Sequence, residues 1–164
     1  MRTGPAADCL VYVRIFDGRL RIGESALEHM LHLIQDDPRK PEAGGVLLGR
    51  HILETSDAVV DKVTLPMEGD RQSRNSFFRA PRRHQEAIAR AWRESGGTCT
   101  YLGEWHTHPE CVPTPSLIDK WNWQRKLLTD KFSGFIFFVI IGTKMVRVWE
   151  GHRHRLGLDL LEIV

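Results

Sequence analysis

The stretch Glu104-Trp105-His106-Thr107-His108-Pro109-Glu110-Cys111-Val112-Pro113-Thr114-Pro115-Ser116-Leu117-Ile118-Asp119 decides how the rest of the chain is read. Thr98 to Trp105 has strand character and runs into it. Residues i and i+2 of a strand face the same side, so His106 and His108 point two imidazoles into one space. Pro109 stops the strand. Ser116 opens a helix through Leu117, Ile118, Trp121, Leu127 and Leu128, with Asp119 in its first turn, projecting back toward the histidines. Two His and one carboxylate leave a tetrahedral zinc with one open position, which is a catalytic rather than a closed structural set. Zinc lowers the pKa of water in that position to about 7. The water still needs a carboxylate that takes its proton without ligating the metal. Glu42, at the start of a glycine-bearing strand, is the candidate. Ser116 is the candidate donor to the developing oxyanion.

Blander readings exist for each part. Ser116-x-x-Asp119 alone is a capping-box-like helix start. The two readings are compatible, because a capped first turn also holds Asp119 still. A lone His-x-His commonly binds nothing, and an exposed Glu is the ordinary case. The weight rests on the conjunction: His-x-His-Pro, seven residues between His108 and Ser116, then Ser-x-x-Asp.

Working outward, Val11, Val13 and Ile15 alternate with Tyr12, Arg14 and Phe16 as in a strand. Asp17-Gly18 is a hairpin turn, and Arg19 to Ile22 the return strand. Leu27, Met30, Leu31 and Ile34 form one helix face. Ala43 to Leu53 reads as a buried strand in which Gly44, Gly45 and Gly49 permit close backbone approach. Val59 to Leu65 is another strand, and Pro66 to Ser76 a polar loop. Phe77 and Phe78 begin a short strand. Pro81 starts a helix that carries Ile88, Ala91, Trp92 and Ser95 on one face and ends at Gly96-Gly97. Phe135 to Ile141 is a central strand buried on both faces, Met145 to Trp149 alternates, and His152 to Val164 gives at most one more strand. Interleaved helices and hairpin-paired strands argue for an α+β fold with a mixed sheet. No repeat or linker interrupts the chain, so residues 1–164 are expected to form one domain.

Bulk properties exclude several classes. The net charge of +2 and scattered arginines do not make a nucleic-acid surface. The apolar run Phe135 to Ile141 is far below the roughly 20 residues of a membrane-spanning helix. Three cysteines without CxxC spacing fit a reducing, cytoplasmic compartment. Met1 to Ala7 has no apolar segment of a secretory signal.

The motif resembles that of the JAMM metalloproteases, the catalytic MPN-domain (JAB-type) family that contains deubiquitinases. Glu42, His106, His108, Ser116 and Asp119 match each of its positions. The resemblance implies Glu42 as general base, Ser116 as oxyanion stabiliser, and His106, His108 and Asp119 as ligands of one Zn²⁺ per chain. It also implies a JAB/cytidine-deaminase-like fold, a curved mixed β-sheet flanked by helices. More narrowly, Pro41 to Gly49 and Tyr101 to Pro109 are similar to the deconjugases of bacterial CBASS anti-phage operons. That likeness implies a zinc-dependent isopeptidase acting on the C-terminal tail of a ubiquitin-like protein or CD-NTase conjugated to a target. It carries alternatives with it: a processing protease for a ubiquitin-like sulfur-carrier precursor, a non-catalytic MPN scaffold, and a DNA-associated relative. The complete ligand set argues against the scaffold, and the modest charge against DNA. The loop Pro66 to Ser76 corresponds in position to a tail-clamping insertion of the eukaryotic enzymes. Its shortness implies loose selection of the distal partner and tighter reading of the tail.

Other residues are read as bystanders or core. Cys111 lies near the site as a bystander, and His152 and His154 lie on the surface. Trp105, Trp121 and Trp123 pack in the core. Glu104 shares the face of His106 and is a possible partner of the site.

Overall fold

Residues 9–130, 134–155 and 157–164 are described by the computed structural model; Met1 to Ala7, read above for a secretory signal, lies outside them. The strands are β1 (Leu10–Val13), β2 (Arg19–Ile22), β3 (Gly44–His51), β4 (Ala58–Val63), β5 (Arg71–Ser73), β6 (Ser76–Phe78), β7 (Thr100–Thr107), β8 (Phe135–Ile141), β9 (Val146–His152), β10 (Leu158–Leu160) and β11 (Glu162–Ile163). The helices are α1 (Glu24–Leu31), α2 (Pro81–Glu94) and α3 (Leu117–Thr129).

Nine strands form one mixed sheet in the order β10-β9-β8-β7-β3-β4-β2-β1-β11. The β2–β4 and β7–β8 pairs are parallel and the rest antiparallel. The fold is therefore the expected α+β class. β10 and β11 are neighbours in sequence yet lie at opposite edges of the sheet. They pair with β9 and β1, so the sheet curves until its two edges meet around Leu161. The Leu161 amide donates to the Val148 carbonyl and the Val164 amide to that of Val11. Two strands here replace the single one expected, because segments of two or three residues are too short to show a period.

β8 shows why a continuous apolar run marks a strand buried on both faces. Phe137, Val139 and Ile141 join α1 residues Ala26, Leu27 and Met30 in one core. Ile136, Phe138 and Ile140 pack with Trp123, Leu127 and Trp149 on the other face. α2 covers a third cluster, with Ala91 against Val46, Leu48 and Cys99. The helices thus flank both faces, and α2 and α3 share the face that carries the candidate site.

Three details differ from the sequence reading. Pro66 to Ser76 is not all loop: β5 pairs antiparallel with β6 to form a separate two-stranded hairpin. Trp121 is 60% exposed whereas Trp123 is buried, and Trp92 is also exposed. His152 is not a surface residue but lies half-buried, with Nε2 3.0 Å from Glu150. It belongs to a cluster around Arg14, whose guanidinium is buried against the Glu150 carboxylate at 2.6 Å. Tyr12 and Arg14 accordingly face inward while Val13 faces out.

Candidate metal centre

β7 delivers the two histidines. Gly44 on β3 pairs with His106 on β7, and β8 flanks the other side with Ile140 opposite His106. The strand's hydrogen bonding continues past its end, because the His108 amide donates to the Ile141 carbonyl at 2.9 Å. Both imidazoles therefore leave a fixed backbone toward the same side. Between them, Thr107 points the opposite way and is fully buried. Its hydroxyl accepts from the Ala43 amide at 2.9 Å and donates to Gln35 Oε1 at 3.1 Å, which pins the end of β7 to the start of β3.

Asp119 arrives from α3. Its amide donates to Ser116 Oγ at 3.1 Å, and the Ser116 amide donates to Asp119 Oδ2 at 2.7 Å, forming a full capping box. The Ser116 hydroxyl also donates to Asp119 Oδ2 at 2.8 Å. The helix cap and the site geometry are the same set of bonds. Asp119, Trp123 and Leu127 then follow at i, i+4 and i+8 on one face of the helix.

The resulting spacing fits a metal. His106 Nε2 and His108 Nε2 are 3.0 Å apart. Asp119 Oδ1 lies 3.4 Å from His106 Nε2, and Asp119 Oδ2 lies 3.3 Å from His108 Nε2. Ligands at zinc bond lengths of about 2.0–2.1 Å on a tetrahedron are separated by about 3.3–3.4 Å. The two imidazole nitrogens and the Asp119 carboxylate, through one oxygen to each histidine, thus already stand at about such separations. Glu42 is also close: one ligand atom from each of Glu42, His106 and His108 falls within 4.8 Å of the others. Glu42 is 5% exposed. Its amide donates to the Ser73 carbonyl at 2.7 Å, and its carbonyl accepts from Gln72 Nε2 at 3.0 Å. The hairpin therefore grips the backbone of Glu42. Gly44 makes room for this, since a Cβ there would lie 2.6 Å from the Phe77 ring.

The electrostatics follow the crowding. Burial pushes the Glu42 carboxyl up, against an opposing pull from His106 and His108. For Asp119 burial also pushes upward, but hydrogen bonds from His106 and His108 outweigh it and hold the carboxyl well below the usual carboxylate range. Burial lowers the pKa of His108, yet Asp119 and Glu42 more than offset this and leave it raised.

Two continuous recesses flank these residues. One of about 350 Å³ runs past Glu42, Phe77, Glu104, His106, Asp119 and Lys126. The other, of about 240 Å³, is lined by Ser76, Phe78, His108, Ser116, Ile118 and Asp119. The hairpin forms one wall and α3 the other. The compact group among the described residues is Glu42, His106 and His108, and Asp119 joins it through its contacts with the two imidazoles, whereas Cys111 is exposed. Glu104 pairs with Arg79 and Lys126.

Sequence reasoning missed the supports: Gln35, Thr107, Gln72 and Ser73. Thr107 alone carried a local signal, since a polar residue between two same-side histidines must point into the sheet's other face. It missed a second buried network as well. Asp70 accepts from the Met67 and Ala80 amides, each at 2.8 Å, and pairs with His84 Nε2 at 2.9 Å. His84 Nδ1 lies 2.7 Å from the Thr64 hydroxyl. This staples the two ends of the excursion that carries the hairpin.

The family model of prokaryotic homologs of the JAB domain matches residues 24–152, which include all five motif positions. A protein of Vibrio cholerae serotype O1 named CD-NTase/cGAS isopeptidase is 36% identical over 115 residues, covering 70% of this chain and 69% of that one. An Escherichia coli protein of the same name is 28% identical over 153 residues, covering 93% and 94%. The solution structure of a Desulfitobacterium hafniense protein is similar with a TM-score of 0.59 at 26% identity, covering 85% of this chain and 87% of that one.

Proposed function

We propose a function on one premise: this chain belongs to the family of prokaryotic homologs of the JAB domain. It is a metal-dependent isopeptidase, a single JAB/MPN domain over residues 1–164. It removes the C-terminal tail of a CD-NTase or ubiquitin-like protein from conjugates, as in CBASS anti-phage defence, and works in the cytoplasm. The observation that carries the reading is the spacing of 3.0, 3.4 and 3.3 Å among His106, His108 and Asp119, with a buried carboxylate beside them. The donor set of two imidazoles and a carboxylate suits zinc.

His106, His108 and Asp119 would hold the ion. Bound zinc would supply Lewis acidity at the scissile carbonyl and a lowered pKa for the attacking water. Glu42 takes the proton of that water and returns it to the leaving amine. Its raised pKa suits both halves of the task, because a base poised nearer neutrality is also an adequate acid. The grip of Ser73 and Gln72 on its backbone keeps it in place. Ser116 turns its hydroxyl from Asp119 Oδ2 to the oxyanion that develops on the carbonyl. The tail lies extended between β6 and α3, where β6 presents the backbone edge that β5 does not use.

The test uses zinc-loaded protein and one tail joined to reporters by an isopeptide bond or in linear fusion. Mass spectrometry should find the intact tail released from the isopeptide conjugate. Cleavage of the linear fusion alone would favour the sulfur-carrier processing reading, and cleavage of neither would overturn the assignment.

A further inference from the structure

The larger recess continues beyond the metal ligands into a charged end that the chemistry above leaves unused. Glu104 forms its centre. Arg79 Nη1 stands 3.5 Å from Glu104 Oε2 on one side, and Lys126 Nζ stands 3.3 Å from the same oxygen on the other. All three side chains are mostly buried, at 19%, 16% and 25% exposure for Arg79, Glu104 and Lys126. Arg125 lines the same recess. Away from the metal ligands, two cations thus face one carboxylate. Arg79 and Lys126 share that one carboxylate oxygen, so the cluster keeps an excess of positive charge that an incoming carboxylate can take up.

Position along the cleft follows from the elements. Glu104 precedes His106 by two residues on one strand face, about 7 Å at strand rise. Lys126 follows Asp119 by seven residues on one helix face, about 10 Å at helical rise. An extended peptide gains about 3.3 Å per residue. The charged end therefore lies two or three residues from the scissile bond, in the cleft between β6 and α3 where the proposed function lays the tail.

We infer that Arg79 and Lys126, held apart by Glu104, form a subsite that accepts an acidic side chain of the tail two or three residues before the scissile bond. This rests on the peptidase reading but is tested apart from it by binding. Fluorescein-labelled tail peptides that end at the cleaved position, and internally quenched peptides that span it, carry Glu, Gln or Lys at the second, third or fourth place before the bond. Anisotropy on the zinc-loaded full chain should give about tenfold tighter binding for Glu over Lys at one of the second and third places, the ratio expected of a charge-assisted hydrogen bond. The advantage should shrink with added salt. Arg79→Gln should weaken it, and Lys126→Glu, on the helix, should reverse it. Turnover of the spanning peptides should follow the same order. Equal binding and turnover of Glu and Lys peptides would overturn the subsite while leaving the peptidase standing. Charge-selective binding without turnover would uphold the subsite and overturn the peptidase. A preference at the fourth place alone, or no binding of any peptide, would overturn the subsite.

Discussion

Replacing Glu42 by Gln separates the proposed base from the proposed ligands. Gln keeps the shape of the side chain and both backbone contacts, to Ser73 and Gln72. It removes only the charge and the proton acceptor. Loss of a general base lowers turnover by about 10²–10⁴-fold, equivalent to about 3–5 kcal/mol of transition-state stabilisation. Metal content should stay at the wild-type level, because His106, His108 and Asp119 are intact. Stability should move the other way. The Glu42 carboxyl is raised above its ordinary 4.5 by burial. A carboxyl raised on folding contributes its full stability below the unfolded pKa and loses it as pH rises through the folded one. At pH 7–8 the metal-free variant should therefore melt above the metal-free wild type, and near pH 4 the gap should close. The assay is conjugate turnover, elemental analysis and calorimetry on one preparation. Turnover above about a tenth of wild type would refute the base assignment, and loss of zinc would make Glu42 a ligand.

The remaining expectations concern the supports and pH. Asp70→Asn should lower stability by about 1–3 kcal/mol, since three buried donors lose a charged acceptor; an unchanged melting temperature at pH 7 would contradict the staple. Burial pushes the Asp70 carboxyl up, but bonds from Met67, His84 and Ala80 outweigh it and leave it lowered. Its contribution in the wild type should therefore be present above about pH 4 and vanish as pH falls through the folded value. Gly44→Val should displace Phe77 with the hairpin and press on the Trp105 carbonyl beside His106, cutting turnover; full activity would show that neither close approach is needed. Zinc occupancy and turnover should fall together below about pH 6, since the raised pKa of His108 makes protons compete with the metal at higher pH than for an ordinary imidazole. An unchanged rate at pH 5 would argue against neutral imidazole ligands.

How much of this was legible depended on how local each signal is. His106, His108, Ser116 and Asp119 lie within fourteen residues, and strand and helix periods alone aim them at one point. Glu42 lies far away in sequence; the residues offered only a candidate, and the resemblance supplied its role. Trp121 was misplaced although the information was present. Once Asp119 faces the site, i+4 and i+8 make Trp123 and Leu127 the inward face and turn Trp121 to solvent. The β5–β6 hairpin had no apolar alternation to betray it, because β5 is exposed throughout. Arg14, His84 and Asp70 are buried only because distant segments supply partners, Glu150 for Arg14 and Thr64 with two backbone amides for the other pair. No single-window reading finds such pairs.

The most direct test of the central claim is a zinc titration of the metal-free chain, with bound metal and conjugate cleavage measured in the same samples. Both should rise together and saturate at one zinc per chain, while Asp119→Ala binds little zinc and cleaves nothing. Cleavage by the metal-free protein, or full zinc occupancy in Asp119→Ala, would contradict the account.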